Sequence, residues 1–128
     1  MLARRALRSL EGADEDVDAM WAEISTVFSR DLLPHFEIEE RYLLVALDQA
    51  GAKVLSDAVR AQHARLRELV AAGSRSREHL REFGELLRDH VRFEERRLFP
   101  AAEQRLDEHQ LAQVARASAA LETARRRR

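Results

Sequence analysis

The chain has 128 residues, enough for one domain with its own core and too few for two. Hydrophobic residues make up 45% of it and charged residues 35%, which excludes a disordered polyampholyte, and a net charge of −1 gives no overall field to attract nucleic acid. With no Cys, disulfide scaffolds, zinc fingers, thiolate nucleophiles and iron–sulfur clusters are excluded together.

Four Gly, two Pro and 5% aromatics leave little from which to build turns and strands, whereas the abundant Ala, Leu, Glu and Arg are strong helix formers. The predicted class is all-α. Leu2, Ala6, Leu7 and Leu10 fall at helical spacing, and Gly12 is the expected C′ residue of this first helix. The segment carries arginines but no continuous apolar stretch, so it does not read as a secretory signal. No apolar run approaches the roughly 20 residues that span a bilayer, and a cytoplasmic protein without membrane contact is expected. Asp14, Glu15, Asp16 and Asp18 then crowd one turn, where negative charge suits a new helix N-terminus.

The second helix carries Val17, Trp21, Ile24, Phe28, Leu32, His35, Ile38, Glu39 and Tyr42 on one face, with a kink expected at Pro34 and an end near Gly51. A third helix is predicted from about Lys53 to Ala72, with Leu55, Val59, His63, Leu66 and Val70 as its stripe and Gly73 closing it. Ser74 or Ser76 can cap a fourth helix, whose stripe is Leu80, Phe83, Leu87, His90, Val91 and Glu94; Pro100 interrupts its far end. Asp107 and Gln110 suggest a capping box for a last helix with Leu111, Val114 and Leu121. Arg125–Arg128 is expected to be a disordered, solvated basic tail on a single domain spanning residues 1–124. Long helices joined by short turns place neighbours antiparallel, as in an up-down bundle.

Two windows, residues 35–46 and 90–101, share the frame His-x-x-x-Glu-Glu-Arg-x-Leu-x-x-Ala. Residues i and i+4 of a helix stand one above the other, so His35 with Glu39, and His90 with Glu94, each aim an imidazole and a carboxylate the same way. Composition alone would give about half a chance pair of this kind, so spacing is the weaker part of the signal. Placement is the stronger part. Both pairs lie on otherwise apolar stripes, where an unpaired carboxylate costs several kcal/mol or is forced neutral. His63 lies on the stripe of the intervening helix. Three imidazoles and two carboxylates without sulfur suit iron first, then manganese or zinc. The plainer reading of His63 alone is a hydrogen-bonded core histidine, and of the Glu-Glu-Arg triplets a salt-bridged surface. Glu40 and Glu95, about 100° round from their neighbours, are expected to face outward and pair with arginines. His79 and His109 are expected to stand apart from the site, His79 at about 16 Å from His90 along the helix.

These residues resemble the hemerythrin-like (HHE cation-binding) family over about residues 14–105. The resemblance implies a four-helix bundle around a non-haem di-iron site. Carried over, His35 and Glu39 are the second-helix ligands, His63 the third-helix ligand, and His90 and Glu94 the fourth-helix ligands, with the glutamates bridging. The Leu33-Pro34-His35 and Leu98-Phe99-Pro100 contexts are similar too. The family's first-helix histidine has no counterpart, and the first helix, about 15 Å long, is half the length of its neighbours. It is expected either to continue upstream of Met1 to a further histidine or to leave the site short of a ligand.

The resemblance implies a protein that binds or senses O2, peroxide or NO, or handles iron, rather than an enzyme. The alternative is a metal-poor helical interaction module with a degenerate site, which can form a homodimer through the groove left by the short first helix.

Overall fold

Negative charge at Asp14, Glu15 and Asp16 opens the longest helix, and Asp16 turns back to accept the N–H of Ala13 at 2.8 Å. The computed structural model describes residues 1–73 and 75–127. In it this helix, α2, runs over residues 14–49, preceded by a short α1 (Leu2–Ser9) and followed by α3 (Lys53–Ala71), α4 (residues 77–105) and α5 (Glu108–Arg126). No strand occurs among the described residues. The architecture is the expected all-α bundle with a short first helix and an extra C-terminal one.

Gly51 and Gly73, with φ of 83° and 69°, end α2 and α3 in the left-handed conformation that glycine adopts without steric cost. Ser76 caps α4 by accepting the N–H of His79 at 3.1 Å, and the other candidate cap, Ser74, lies outside the described residues. Asp107 and Gln110 form the predicted box at the start of α5, each side chain accepting the other's backbone N–H.

Three expectations are corrected. Gly12 is not a left-handed C′ residue; its glycine serves space, because a Cβ there would run into the Asp16 carboxylate. Pro100 does not interrupt α4, and Pro34 lies inside a continuous α2. Each proline follows a π-helical turn, Phe28–Leu32 and Glu94–Leu98, in which the residue before the proline bonds back five positions, Leu33 to Phe28 and Phe99 to Glu94. The wider turn absorbs both the missing N–H and the ring's clash with the preceding turn. Arg125 and Arg126, expected in a frayed tail, belong to α5, where Arg125 pairs with Glu122 at 2.8 Å; Arg128 lies outside the described residues.

α1 packs on the first part of α2 and of α4, tied by Arg5 to Glu23 at 2.6 Å. Arg77 of α4 grips the turn between α1 and α2 through the carbonyls of Leu10 and Gly12 and the carboxylate of Asp14. α5 lies against residues 33–44 of α2, beyond the main reach of α1. Two apolar clusters fill the bundle. One gathers Trp21, Ile24, Phe28, Phe36, Leu66, Phe83 and Leu87 around α1, and the other gathers Leu43, Leu44, Leu47, Val59, Leu98, Ala102 and Leu106 at the opposite end.

Candidate metal centre

Between those clusters lies a polar layer. Along α2 it falls between Phe36 and Leu43, along α3 between Leu66 and Val59, and along α4 between Leu87 and Leu98. Glu39, His63, His90 and Glu94 occupy it, all buried, each with a ligand atom within 4.8 Å of the others'. The same 3.6-residue period that builds the apolar stripes therefore delivers these four side chains to one point.

Glu39 spans the layer. Its Oε1 stands 3.1 Å from Nε2 of His63 and its Oε2 3.5 Å from Nε2 of His35. His90 Nε2 and Glu94 Oε1 approach to 2.6 Å. Of the five predicted ligands, His35 is the outer one: its side chain is 42% exposed, whereas that of His63 is 0%. His79, half-buried, sits in the first turn of α4, and His109 is exposed in the first turn of α5; neither is in the buried group.

The other ring nitrogens of the inner histidines are held. His63 donates its Nδ1–H to Glu40 at 2.7 Å, and Glu40 takes both Arg67 nitrogens, at 2.7 and 2.9 Å. His90 donates its Nδ1–H to the amide oxygen of Gln62 at 2.6 Å. An ionised carboxylate and an amide oxygen only accept, so both Nδ1 atoms carry protons. Phe36 adds a steric hold, stacked on His63 with centroids 3.9 Å apart and edge-on to His90 at 5.6 Å. Glu40 thus pairs with an arginine as expected, but it reaches inward to His63 rather than facing outward. Glu95 is exposed, as expected.

With Nδ1 protonated, the Nε2 atom of a neutral imidazole offers a lone pair, and so do the carboxylate oxygens opposite. Accordingly both Glu39 oxygens, Nε2 of His63, Nε2 of His90 and Oε1 of Glu94 are buried without an aligned hydrogen bond, close as they stand. Five acceptors converging in an apolar interior are unfavourable by themselves, and a cation among them satisfies all five. The residues therefore fit a metal ion. Burial, with the charge of Glu39 beside it, pushes the Glu94 carboxyl up. Burial also opposes ionisation of Glu39, but its polar neighbours, His35 foremost, outweigh it and hold Glu39 at about 2. Glu39 pulls His35 up against the effect of its burial.

Sequence reasoning missed Glu40, Gln62, Arg67 and Phe36. One signal was available: Glu40 and Gln62 are chain neighbours of the ligand candidates Glu39 and His63.

A helical bundle with a sulfur-free cation layer of this kind defines a class of metal-binding domain. The sequence places the chain within it more narrowly: the hemerythrin HHE cation-binding domain model matches residues 1–102, and the chain belongs to that family. No curated protein and no solved structure matches the chain. Among the described residues no helix is long and apolar enough to cross a membrane.

Proposed function

We propose that the chain is a non-haem iron protein that binds a small diatomic or peroxide ligand in the cytoplasm, for sensing, storage or protection against oxidants. One observation carries this reading: five buried oxygen and nitrogen acceptors without aligned partners, drawn from three helices. Nitrogen and oxygen donors without sulfur favour iron or manganese over softer ions, with zinc also accommodated. Two candidate bridging carboxylates make a di-iron centre the favoured form.

When bound, iron supplies redox change and open coordination positions. The chain supplies the rest. Glu39 and Glu94 bring the negative charge, His63 and His90 bring preset lone pairs, and the flanking apolar clusters keep bulk water out. At the solvent side His35 borders a cavity of about 310 Å³ lined also by Leu32, Leu121 and Arg125, large enough for a diatomic or peroxide ligand.

The test is expression with ferrous iron, followed by metal analysis and a near-UV and visible spectrum in air. At least about one iron per chain is expected, with an oxygen-dependent band, both lost in Glu94→Ala. Fewer than about 0.3 metal equivalents, unchanged by Glu94→Ala or His63→Ala, would overturn the proposal and leave the helical interaction module as the reading.

A further inference from the structure

The ligand candidates are gripped in a regular order. Glu39 of α2 is followed in the chain by Glu40, which holds His63 of α3. His63 is preceded by Gln62, which holds His90 of α4. α2 and α3 thus each use the chain neighbour of a layer residue to fix an imidazole of the next helix, while α4 presents both His90 and Glu94. The two grips differ in charge: a carboxylate backed by Arg67 on His63, a neutral amide on His90. His35 stands outside this arrangement. No partner holds its Nδ1 among the described residues, and its ring faces Glu39 at 3.5 Å from the exposed side.

Fixing an imidazole through Nδ1 sets its tautomer and its angle before an ion arrives. A carboxylate partner also makes the opposite nitrogen more basic. Both effects favour an ion among Glu39, His63, His90 and Glu94, and neither operates at His35. A half-exposed, ungripped ring must be ordered when it binds, and that ordering subtracts from affinity.

We propose that Glu40 with Arg67, and Gln62, are positioning residues that divide the site into a tight inner metal position (Glu39, His63, His90, Glu94) and a loose, exchangeable outer one at His35. This rests on the metal-binding reading above and adds to it an order of filling. The second ion arrives last and leaves first, on the side that opens to solvent.

The test titrates Co2+ into metal-free full-length protein by calorimetry. One ion per chain is expected to bind at least about tenfold more tightly than a second. His35→Ala is expected to abolish the second phase and leave the first within about threefold, while Glu40→Gln weakens the first about tenfold. Gln keeps an acceptor on His63 and removes the charge, so this variant is expected to fold, which a helical circular-dichroism spectrum checks. Nitrogen-15 spectra of the metal-free protein give an independent readout: single Nδ1–H tautomers for His63 and His90, and no single neutral tautomer for His35. Two equal phases overturn the proposal, as does equal weakening of the first ion by His35→Ala and Glu40→Gln, or an unchanged first phase in Glu40→Gln. Absence of any Co2+ binding by the wild type removes the metal-binding reading itself, and the inner and outer positions with it. The tautomers then show separately whether Glu40 and Gln62 grip their rings.

Discussion

Phe36 lies almost flat on His63, the ring planes 12° from parallel and the centroids 3.9 Å apart. The apolar core thereby holds a polar ring in place, since Phe36 is itself buried among the cluster residues near α1. Truncating it removes core volume and the hold on His63 at once. Phe36→Ala is expected to lower the unfolding free energy of the metal-free protein by about 3–5 kcal/mol in urea. It should also weaken Co2+ binding more than Leu80→Ala, which truncates the same cluster about 15 Å of helix before His90. Equal effects on binding would show that Phe36 acts as filling alone.

Glu94 should have opposite effects with and without metal. In the metal-free protein its carboxylate faces the Nε2 lone pair of His90, and burial opposes its charge. The amide of Glu94→Gln can donate a hydrogen bond there and carries no charge, so the metal-free variant is expected to melt a few degrees higher than the wild type. With excess Co2+ the order reverses, because the wild type gains binding free energy that the variant largely loses. Thermal melts with and without metal check both signs.

Helix positions, the caps at Ser76 and Asp107, and the histidine–glutamate pairs were legible because each follows from the 3.6-residue period or from local capping chemistry. The partners of the inner rings were harder to read. Glu40 lies one step round from Glu39, which a helical wheel assigns to the surface, yet a long side chain at the border of the core reaches His63. The wheel also fails locally, since Glu39–Leu44 is a π-helical turn with less rotation per residue. On α3, buried Ser56 and Leu69 stand where Leu55 and Val70 were expected, and those two are only half-buried. The Ser56 hydroxyl can be buried because it bonds the Lys53 carbonyl at 3.1 Å and meets Asp48, a contact invisible to periodicity.

Asp48 gives a pH dependence that is independent of the metal layer. Arg60 and Ser56 hold its carboxyl at about 2, against an ordinary 3.8. A carboxylate depressed in the folded state contributes stability above its unfolded value, and that contribution disappears as pH falls through the folded value. Asp48→Asn is therefore expected to be less stable than the wild type at neutral pH, with the gap closing between about pH 4 and pH 2. Urea midpoints for both proteins across that range measure it; a constant gap would mean that Asp48 acts without its charge.

Gly84 tests whether α1 serves the metal layer. A Cβ at this position would stand 2.8 Å from Cγ and Cδ2 of Leu7, so the glycine lets α1 approach α4. Gly84→Leu is expected to cost about 1–3 kcal/mol and to speed amide exchange over residues 2–9. Co2+ affinity should stay within about threefold, since α1 sends no side chain into the layer. A parallel loss of affinity would show that α1 supports the site from a distance.

The π-helical turns in α2 and α4 set which changes of chain length this protein can survive. Each stores one residue beyond what an α-helical turn holds, so the stretches before and after it face the same interior only because that residue is counted in. Removing Arg41 from the π-helical turn Glu39–Leu44, which no proline follows, would leave a continuous, well-bonded helix. It would also turn Leu44 and Leu47 about 100° relative to Glu39. The halves of the bundle on either side of the polar layer are thus phased like two meshed gears, and the spare residue is the tooth that keeps them in step. Deletion there, more than substitution, would separate the ability to form a helix from the ability to build the site.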